Sequence, residues 1–451
     1  MNHEEIQRHN DAVTRRNTRI LMTGTFLEYF DLMLYVHMAM ILNDVFFSKE
    51  IMSESWYTSL AFCSTFLLKP FGGYVFGYFG DRYGRKSILI FTTLLMSGCC
   101  IILSVLPSYE QIGVLASITV TICRLLQGLS SVGESTSSEI YIAEQTDIPI
   151  RYFQTALVSY SGVIGMAAAL LVAKLIISFG LSYKVVFFAG AVVGAVGYTI
   201  RITIKESDEF LNSVDKLKKF LDIDCNTPKG KKMLQKRGLL EHFNIKDYYK
   251  AQIAYFCVFC GWPVCFYFSY VYCGSILKDQ FGLSKEAVID QNFLLSILNL
   301  IGLFGWIYLT KFIHPLKVLI IKLFFYIPFI LLIPWLLTVA ESHWNIFFIQ
   351  VVGVVLGNST IPARGVFLMH FPTLKRFTNA GFLNGLSHVF VYLYTSAGLV
   401  ITTKYFGNYG ILWISIPASI AFIYGIWQFR KLEQKTGDYY IFDKIKESIS
   451  S

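Results

Sequence analysis

The sequence predicts an all-α integral membrane protein with about twelve transmembrane helices. Hydrophobic residues make up 54% of its 451 residues and charged residues only 15%, so too few polar side chains are present to cover a soluble globule. Apolar runs of about 20 residues recur along most of the chain, and a helix of that length crosses about 30 Å of hydrocarbon. These runs are too long and continuous for strands, and a helix satisfies its backbone hydrogen bonds internally.

The predicted helices fall into two groups of six, separated by a charged stretch. The first six cover 20–46, 56–79, 87–106, 112–137, 153–178 and 183–204. The second six cover 249–276, 288–312, 317–339, 345–370, 379–403 and 409–430. We therefore expect an N-terminal segment over 1–19, a six-helix bundle over 20–204, a linker over 205–248, a second bundle over 249–430 and a tail over 431–451.

The positions of Lys and Arg predict the orientation of these helices. Most basic residues fall in the N-terminal segment, the loops after helices 2, 4 and 10, the linker and the tail, which places both termini in the cytoplasm. The N-terminal segment has no small-residue cleavage site, so no cleaved signal peptide is expected. The net charge of +9 thus reflects membrane topology. No basic stripe with interleaved aromatic residues is present, so we expect no nucleic-acid partner.

Cysteine and histidine spacing gives no metal or cofactor site. Cys257 and Cys260 have the C-x-x-C spacing but lie inside an apolar run without a second pair, which favours packing over metal binding. No nucleophile–base arrangement is apparent, so an enzyme is not expected. We predict no cofactor and no metal.

Ionisable residues far from a helix end are costly in hydrocarbon and therefore point to function. In helix 1, Glu28, Asp31 and Tyr35 share one face, and Asp31 lies roughly 18 Å from the inner end. In helix 4, one stripe carries Arg124, Gln127, Ser131, Glu134 and Ser138, with Arg124 at a matching depth. We predict that Asp31 and Arg124 pair across a water-lined cavity and serve in proton coupling with Glu28 and Glu134. The alternatives are a purely structural ion pair and, for Glu134, solvation near the inner interface.

Further polar residues are candidates for binding a substrate. They are Tyr35, Lys69, Arg124, Gln127, Tyr267, Tyr270, Asn384, His388 and Arg364. Simpler interpretations stay open for several of them. The tyrosines could only pack or form an interfacial belt, Arg364 could extend to the interface, and His388 could be a satisfied hydrogen-bonding residue.

One segment resembles a signature of the major facilitator superfamily. Gly77 to Lys86, GYFGDRYGRK, matches G-x-x-x-D-R-x-G-R-K, which is typical of the loop between helices 2 and 3. The resemblance implies the major facilitator fold, with twelve transmembrane helices in two six-helix bundles. It also implies a conformational latch formed by Gly77, Asp81, Arg82, Gly84, Arg85, Lys86 and Glu144.

Four more segments resemble the metabolite:proton symporter family, which includes transporters of proline and betaine, α-ketoglutarate, citrate and shikimate. They are FLEYFDLMLY (26–35), RLLQGLSSVGE (124–134), EIYIAE (139–144) and FPTLKRFTNAGFLNGL (371–386). The chain departs from the family pattern at Val132, Glu139, Lys69 and Met369, where a glycine, a small residue, an arginine and a glutamate are usual. The second-half copy of the loop signature, GWIYLTKFIHPLK (305–317), lacks the aspartate and G-R-K, which puts a second latch in doubt.

The resemblance implies a proton-coupled symporter that imports a small organic solute by alternating access. Its energy source would be the proton gradient, and it would lie in the bilayer of a bacterial inner membrane as a monomer. A proline- or betaine-type zwitterion and an organic carboxylate are both open as substrates. The absence of sustained heptads after Arg430 slightly favours the carboxylate. An exchanger or exporter of an organic acid, or a non-transporting membrane sensor, are the alternatives.

Overall fold

The structure is a computed structural model that describes residues 3–47, 68–179, 182–221 and 245–442, and its regular structure there is entirely helical. Within these described ranges, eight helical stretches are long and apolar enough to cross a membrane. The first half contains α1 His3–Phe46, α2 Lys69–Tyr83, α3 Arg85–Val105, α4 Val114–Gln145, α5 Ile150–Phe179 and α6 Tyr183–Ile202. A linker helix, Asp208–Leu221, follows. This architecture confirms the predicted fold class.

The second half repeats the six-helix arrangement with two irregular members. It contains α8 Lys285–Leu309, α9 Pro315–Thr338, α11 Arg376–Phe406 and α12 Gly410–Thr436. Helix α7 is composed of Ile245–Phe259, Gly261–Phe266, a π-helical Tyr267–Tyr272 and Cys273–Asp279. Helix α10 is composed of His343–Leu356, a 3₁₀ turn at Ile361–Ala363 and Arg364–Met369.

Several boundaries differ from those expected. Helix α1 extends back to His3, into the segment predicted to be polar and separate, and α12 continues to Thr436. In its described residues the predicted linker contains the helix Asp208–Leu221 and the start of α7 at Ile245, and the predicted residues 56–67 of helix 2 lie outside the described part of the chain. These differences extend elements without changing their order.

The interruption of α10 was not expected, because residues 345–370 were predicted as one helix. Residues 357–360 have no helical structure. Gly357 lowers helix propensity, Pro362 has no backbone N–H for a hydrogen bond, and short polar side chains at 358–360 compete for backbone groups. The run GNSTIP therefore ends one helical segment and begins another in the middle of the span.

Close helix contact joins the two halves through glycines of α2. A Cβ atom added to Gly73 would overlap the backbone of Gly381 in α11, and one added to Gly77 would overlap the backbone of Thr378. Helix α2 therefore lies directly against the backbone of α11. At the same end of the bundle lie residues 80–86, 144–151, 201–210 and 369–376, and we call this end the linker face.

Candidate functional site

A central cavity of about 1030 Å³, counting the space at its mouth, lies between the two halves. Helices α1, α2, α4 and α5 line it from one side and α7, α10 and α11 from the other. Its aromatic lining is Tyr29, Phe259, Trp262, Phe266 and Tyr392. Its polar lining includes Lys69, Ser131, Ser135, Glu139, Ser159, Ser359, Thr360, Arg364, Asn384 and His388. Mainly apolar walls with a few converging polar groups are typical of a small-molecule site.

The interrupted part of α10 contributes polar groups to this cavity. Ser359 and Thr360 are buried and line it. Irregular backbone within a membrane span is tolerated only where protein or a cavity surrounds it, and such breaks often form the substrate site of transporters. The GNSTIP run is the sequence signal for this break, although residues 345–370 were predicted as one continuous helix.

An ion pair across the two halves lies in the cavity wall. Arg364 Nη1 of α10 donates to Glu139 Oε2 of α4 over 2.9 Å, and Ser159 Oγ of α5 donates to Glu139 Oε1 over 2.7 Å. The Arg364 guanidinium also lies over the Phe259 ring, 4.4 Å from its centroid. Arg364 therefore does not extend to the interface. Glu139 was recognised in the sequence only as a departure from a small residue.

Two of the predicted binding residues, Asn384 and His388, lie on α11 and face the cavity. Asn384, His388 and Tyr392 all line it, together with Lys69 at the start of α2. His388 Nδ1 donates to the Asn384 backbone carbonyl over 2.8 Å. Within the described residues, the Asn384 side-chain oxygen is buried without a hydrogen-bond partner. That oxygen is available to accept a hydrogen bond from a ligand.

The three acids predicted for proton coupling line a second cavity, which lies inside the first half. Glu28, Asp31 and Glu134 border this space of about 820 Å³ between α1, α3 and α6. All three side chains are buried. Both Glu28 carboxylate oxygens have no hydrogen-bond partner among the described residues. The structure thus brings the predicted acids together.

Asp31 and Arg124 are linked through an intervening amide. Gln127 accepts from Arg124 Nη1 over 3.0 Å and donates through Nε2 to Asp31 Oδ2. Cys100 Sγ donates to the other Asp31 oxygen over 3.1 Å. The charges are therefore arranged around Gln127, within the first half, and neither Asp31 nor Arg124 is among the residues lining the central cavity.

Glu134 has a partner that the sequence did not reveal. Arg201 of α6 pairs with both Glu134 oxygens, and Thr92 donates to one of them over 2.9 Å. Because both charged side chains are buried, Glu134 is not solvated at the interface. Arg201 lies near the end of an apolar run, a position where a basic residue usually marks the membrane boundary.

Two predicted binding tyrosines lie away from the central cavity lining. Tyr270 contacts Ser296 Oγ over 3.2 Å and lines a neighbouring cavity with Asn292 and Asn299. Tyr267 packs against the apolar core of the second half. The Tyr35 side chain lies outside the part that the structure describes.

The signature loop forms a network of charges on the linker face. Gly84 turns the chain with φ 102°, a conformation that favours glycine. Asp81 accepts the backbone N–H groups of Phe377 and Thr378 over 3.1 and 2.9 Å, at the N-terminus of α11. A carboxylate is favoured there because the first N–H groups of a helix lack partners. Asp81 thus connects the first half to the second.

Arg85 and Glu144 form the buried centre of this network. Arg85 Nη2 donates to Glu144 over 3.0 Å and to the Thr373 carbonyl over 2.7 Å. Arg376 Nη1 donates to Glu144 over 2.8 Å and to Glu209 of the linker helix over 3.0 Å. The network therefore includes both halves and the linker helix.

The remaining signature residues have lesser contacts. Lys86 Nζ donates to the Ile202 carbonyl over 2.8 Å, whereas Arg82 is exposed and donates to the Tyr78 hydroxyl over 2.9 Å. Arg82 is therefore the signature residue least engaged with the linker-face network.

The second half has a different charged group at the linker face. Glu433 of α12 bonds His314 Nε2 over 3.1 Å and His370 Nε2 over 2.8 Å. His314 Nδ1 accepts the Leu316 N–H over 3.3 Å, so Nε2 is the atom that donates to Glu433. This histidine–glutamate cluster lies where the sequence left a second latch in doubt.

Comparison with known proteins identifies the relatives of this chain. It is 31% identical over 218 residues to the proline/betaine transporter of Escherichia coli (strain K12), covering 46% of this chain and 43% of that protein. It is 33% identical over 202 residues to a putative proline/betaine transporter of Staphylococcus aureus (strain COL), covering 42% and 43%. The matches thus span less than half the length of these relatives.

Solved structures share the fold at low sequence identity. The proton:xylose symporter XylE bound to 6-bromo-6-deoxy-D-glucose aligns with a TM-score of 0.68 at 16% identity, over 94% of this chain and 96% of that chain. The E. coli fucose:proton symporter FucP aligns with a TM-score of 0.64 at 11% identity, over 92% and 97%. The family model described as Major Facilitator Superfamily matches residues 21–399, and this chain belongs to that family.

Proposed function

We propose that this chain is a proton-coupled secondary active transporter that imports a small organic solute by alternating access. The observation that carries the proposal is the central cavity between two six-helix halves, with charged side chains from each half in its wall. A polar cavity of this kind inside a membrane protein is expensive unless it forms part of a pathway. No cofactor is needed, because the proton gradient supplies the energy.

In this conformation the two halves are in contact at the linker face, which acts as the closed gate of the central cavity. The distribution of Lys and Arg assigns it to the cytoplasm, with both termini on that side of a bacterial inner membrane. Its closure depends on contacts that cross the halves, such as Asp81 with Thr378 and Arg376 with Glu144. Opening toward the cytoplasm requires those contacts to separate while contacts on the opposite side form.

Asp31 is the proposed site of proton uptake. A buried carboxylate needs compensating donors, and Asp31 has Gln127 and Cys100. A proton on Asp31 removes the acceptor charge and weakens its link through Gln127 to Arg124. Helices α1 and α4 then rearrange at lower cost, assisted by the Glu28 carboxylate in the same cavity, which accepts no hydrogen bond from the described residues.

The cavity favours a substrate with a single carboxylate. Arg124 is held by Gln127 inside the first half, and Arg364 is neutralised by Glu139. Of the three cations that could have met a di- or tricarboxylate, Lys69, Arg124 and Arg364, only Lys69 and Arg364 line the cavity, and Arg364 is already paired with Glu139. A proline- or betaine-type zwitterion agrees with the names of the relatives, and the aromatic walls suit the cationic end of such a molecule.

The proposal is tested with Asp31→Asn in proteoliposomes. We expect this variant to lose accumulation of labelled proline or betaine driven by an imposed pH gradient, while exchange of labelled for unlabelled substrate continues. Asp247→Asn is the matched control, because Asp247 pairs with the exposed Lys435 over 2.8 Å within the second half and lines neither cavity. Full accumulation by Asp31→Asn would remove Asp31 from the coupling step.

A further inference from the structure

Glu139 holds a position that the coupling scheme does not use. It is the acidic residue among the described side chains that line the central cavity, where Lys69 and Arg364 supply the positive charges. The family pattern expects a small residue here, so the carboxylate is a property of this chain. A buried carboxylate at the wall of a binding cavity is costly and calls for a physical explanation.

The contacts of Glu139 keep its charge in place and aimed at the cavity. One oxygen accepts from Arg364 over 2.9 Å and the other from Ser159 over 2.7 Å. Within the described residues, Arg364 Nε is buried without a hydrogen-bond partner. The guanidinium thus keeps an unused donor, although its Nη1 atom is paired.

The Glu139–Arg364 pair has to change when the halves move apart. Glu139 lies on α4 of the first half and Arg364 on α10 of the second, so separation of the halves at this level pulls the two charges away from each other. Removing one partner from a buried pair leaves an uncompensated charge, which is strongly unfavourable. A ligand with one positive and one negative group compensates both residues at once.

We infer that Glu139 is a specificity-determining residue that binds the protonated amine of the substrate. The substrate carboxylate takes the unused donor of Arg364, and its ammonium group donates to Glu139. The inference rests on the proposed transport function and narrows its substrate to a compact zwitterion with an N–H donor. Phe259 and Trp262 of α7 cover the apolar part of such a molecule.

The same carboxylate rejects dicarboxylates. A second negative charge on a ligand would approach Glu139 in a site enclosed by protein, where like charges repel more strongly than in bulk water. Selectivity for a zwitterion therefore combines an attractive contact with a repulsive one.

The test measures binding by the purified full-length chain in nanodiscs and compares matched probes. L-Proline carries both charges, cyclopentanecarboxylate has the same ring without nitrogen, and 2-oxoglutarate carries two carboxylates. We expect the wild type to prefer L-proline over cyclopentanecarboxylate. Glu139→Gln should reduce that preference about 10- to 100-fold, the range for a hydrogen bond to a charged group. Glu139→Gln should also bind 2-oxoglutarate more tightly than the wild type does.

A misfolded variant cannot bind 2-oxoglutarate more tightly than the wild type, so this expected gain separates a change of specificity from a folding defect. Glu433→Gln, which removes a buried carboxylate outside the cavity lining, should leave the preference unchanged. If Glu139→Gln does not fold, Arg364→Gln should instead favour pyrrolidine, which has the amine alone. An unchanged preference in Glu139→Gln, or a wild type that prefers 2-oxoglutarate, would overturn the inference. Accumulation of 2-oxoglutarate driven by the pH gradient would overturn it while leaving the transport function intact.

Discussion

At the scale of single residues, the buried ion pair of Glu134 and Arg201 keeps a charged carboxylate in the wall of the cavity inside the first half. Arg201 bonds both carboxylate oxygens, and Thr92 supplies a further donor. Both ions have left water, so each depends on the other for compensation. The pair also holds α6 against α4 while Glu28 nearby stays without a hydrogen-bond partner among the described residues.

Replacing Arg201 by methionine should destabilise the protein severely. The change leaves Glu134 buried and uncompensated, and breaking a buried pair in this way costs about 3–5 kcal/mol. Thermal unfolding in detergent should show a large drop in Tm, with partial recovery in the double variant Arg201→Met/Glu134→Gln.

Lys435→Met is the matched control for this prediction. Lys435 is exposed and pairs with Asp247 over 2.8 Å, and an exposed pair contributes about 0–1 kcal/mol. Equal losses in Arg201→Met and Lys435→Met would show that the buried pair is not specially required.

Residue positions were predictable from helical spacing, but residue partners were not. Helical spacing predicted that Glu28 and Asp31 share one face of α1, and both line the cavity inside the first half. The bridging role of Gln127 and the pairing of Glu139 with Arg364 depend on how separate helices approach one another. Glu139 and Arg364 are 225 residues apart along the chain. Periodicity within one helix does not indicate which distant helix it will contact.

At the scale of helices, the contact between α2 and α11 explains why α2 is rich in glycine. Gly73 and Gly77 allow the two backbones to touch at the linker face. Small residues at such interfaces permit close helix approach in membranes. The contact positions Asp81 to cap α11, so packing and charge act at the same interface.

A valine at Gly77 should hold the linker face open. Its side chain would collide with the Thr378 backbone, so α2 and α11 would have to separate. We expect loss of uptake and faster labelling of a cysteine introduced at Ser135, in a background without native cysteines, by an impermeant maleimide applied from the linker side.

Gly98→Val provides the comparison for Gly77→Val, because nothing lies within 4 Å of a Cβ placed at Gly98 in α3. It should keep wild-type labelling. Slow labelling of both variants would contradict the proposed role of the α2–α11 contact.

The number and order of the helices could be predicted from apolar runs, whereas the break in α10 could not. A window of about 20 apolar residues averages over a short polar run and so conceals the GNSTIP interruption. Residues 357–360 can leave the helix because protein and the cavity, not lipid, surround their backbone groups. These surroundings depend on the tertiary structure. The sequence therefore predicted that residues 345–370 cross the membrane, but not that Ser359 and Thr360 leave the helix and line the central cavity.

At the scale of the whole molecule, the two halves use different chemistry in related places at the linker face. In the first half the charged residues lie at the start of α3, the end of α4 and just after α6, at Arg85, Glu144 and Glu206. In the second half His314 precedes α9, His370 follows α10 and Glu433 lies near the end of α12. The missing G-R-K therefore does not leave the second half without a polar cluster, but histidines replace arginine in it.

The two clusters should contribute differently to closure of the gate. Asp81 accepts two backbone N–H groups at the N-terminus of α11 and so ties the first half to the second, whereas both histidine partners of Glu433 lie in its own half. We expect Asp81→Asn to shift the equilibrium toward the state open at the linker face by about 10- to 100-fold, because hydrogen bonds to a charged acceptor are weakened or lost. Glu433→Gln should lower thermal stability with a smaller shift in that equilibrium, because its two histidine partners lie in its own half.

Spin labels at Tyr83 and Lys375, which are exposed on opposite halves near the linker face, report the opening directly. Distance distributions in nanodiscs should show a longer population in Asp81→Asn that is minor in the wild type and in Glu433→Gln. An Asp81→Asn distribution identical to that of the wild type would mean that the glycine contact alone closes the gate. The longer population should shrink again when Thr378→Asp is combined with Asp81→Lys, because that double variant introduces an ion pair between the halves in place of the Asp81–Thr378 hydrogen bonds.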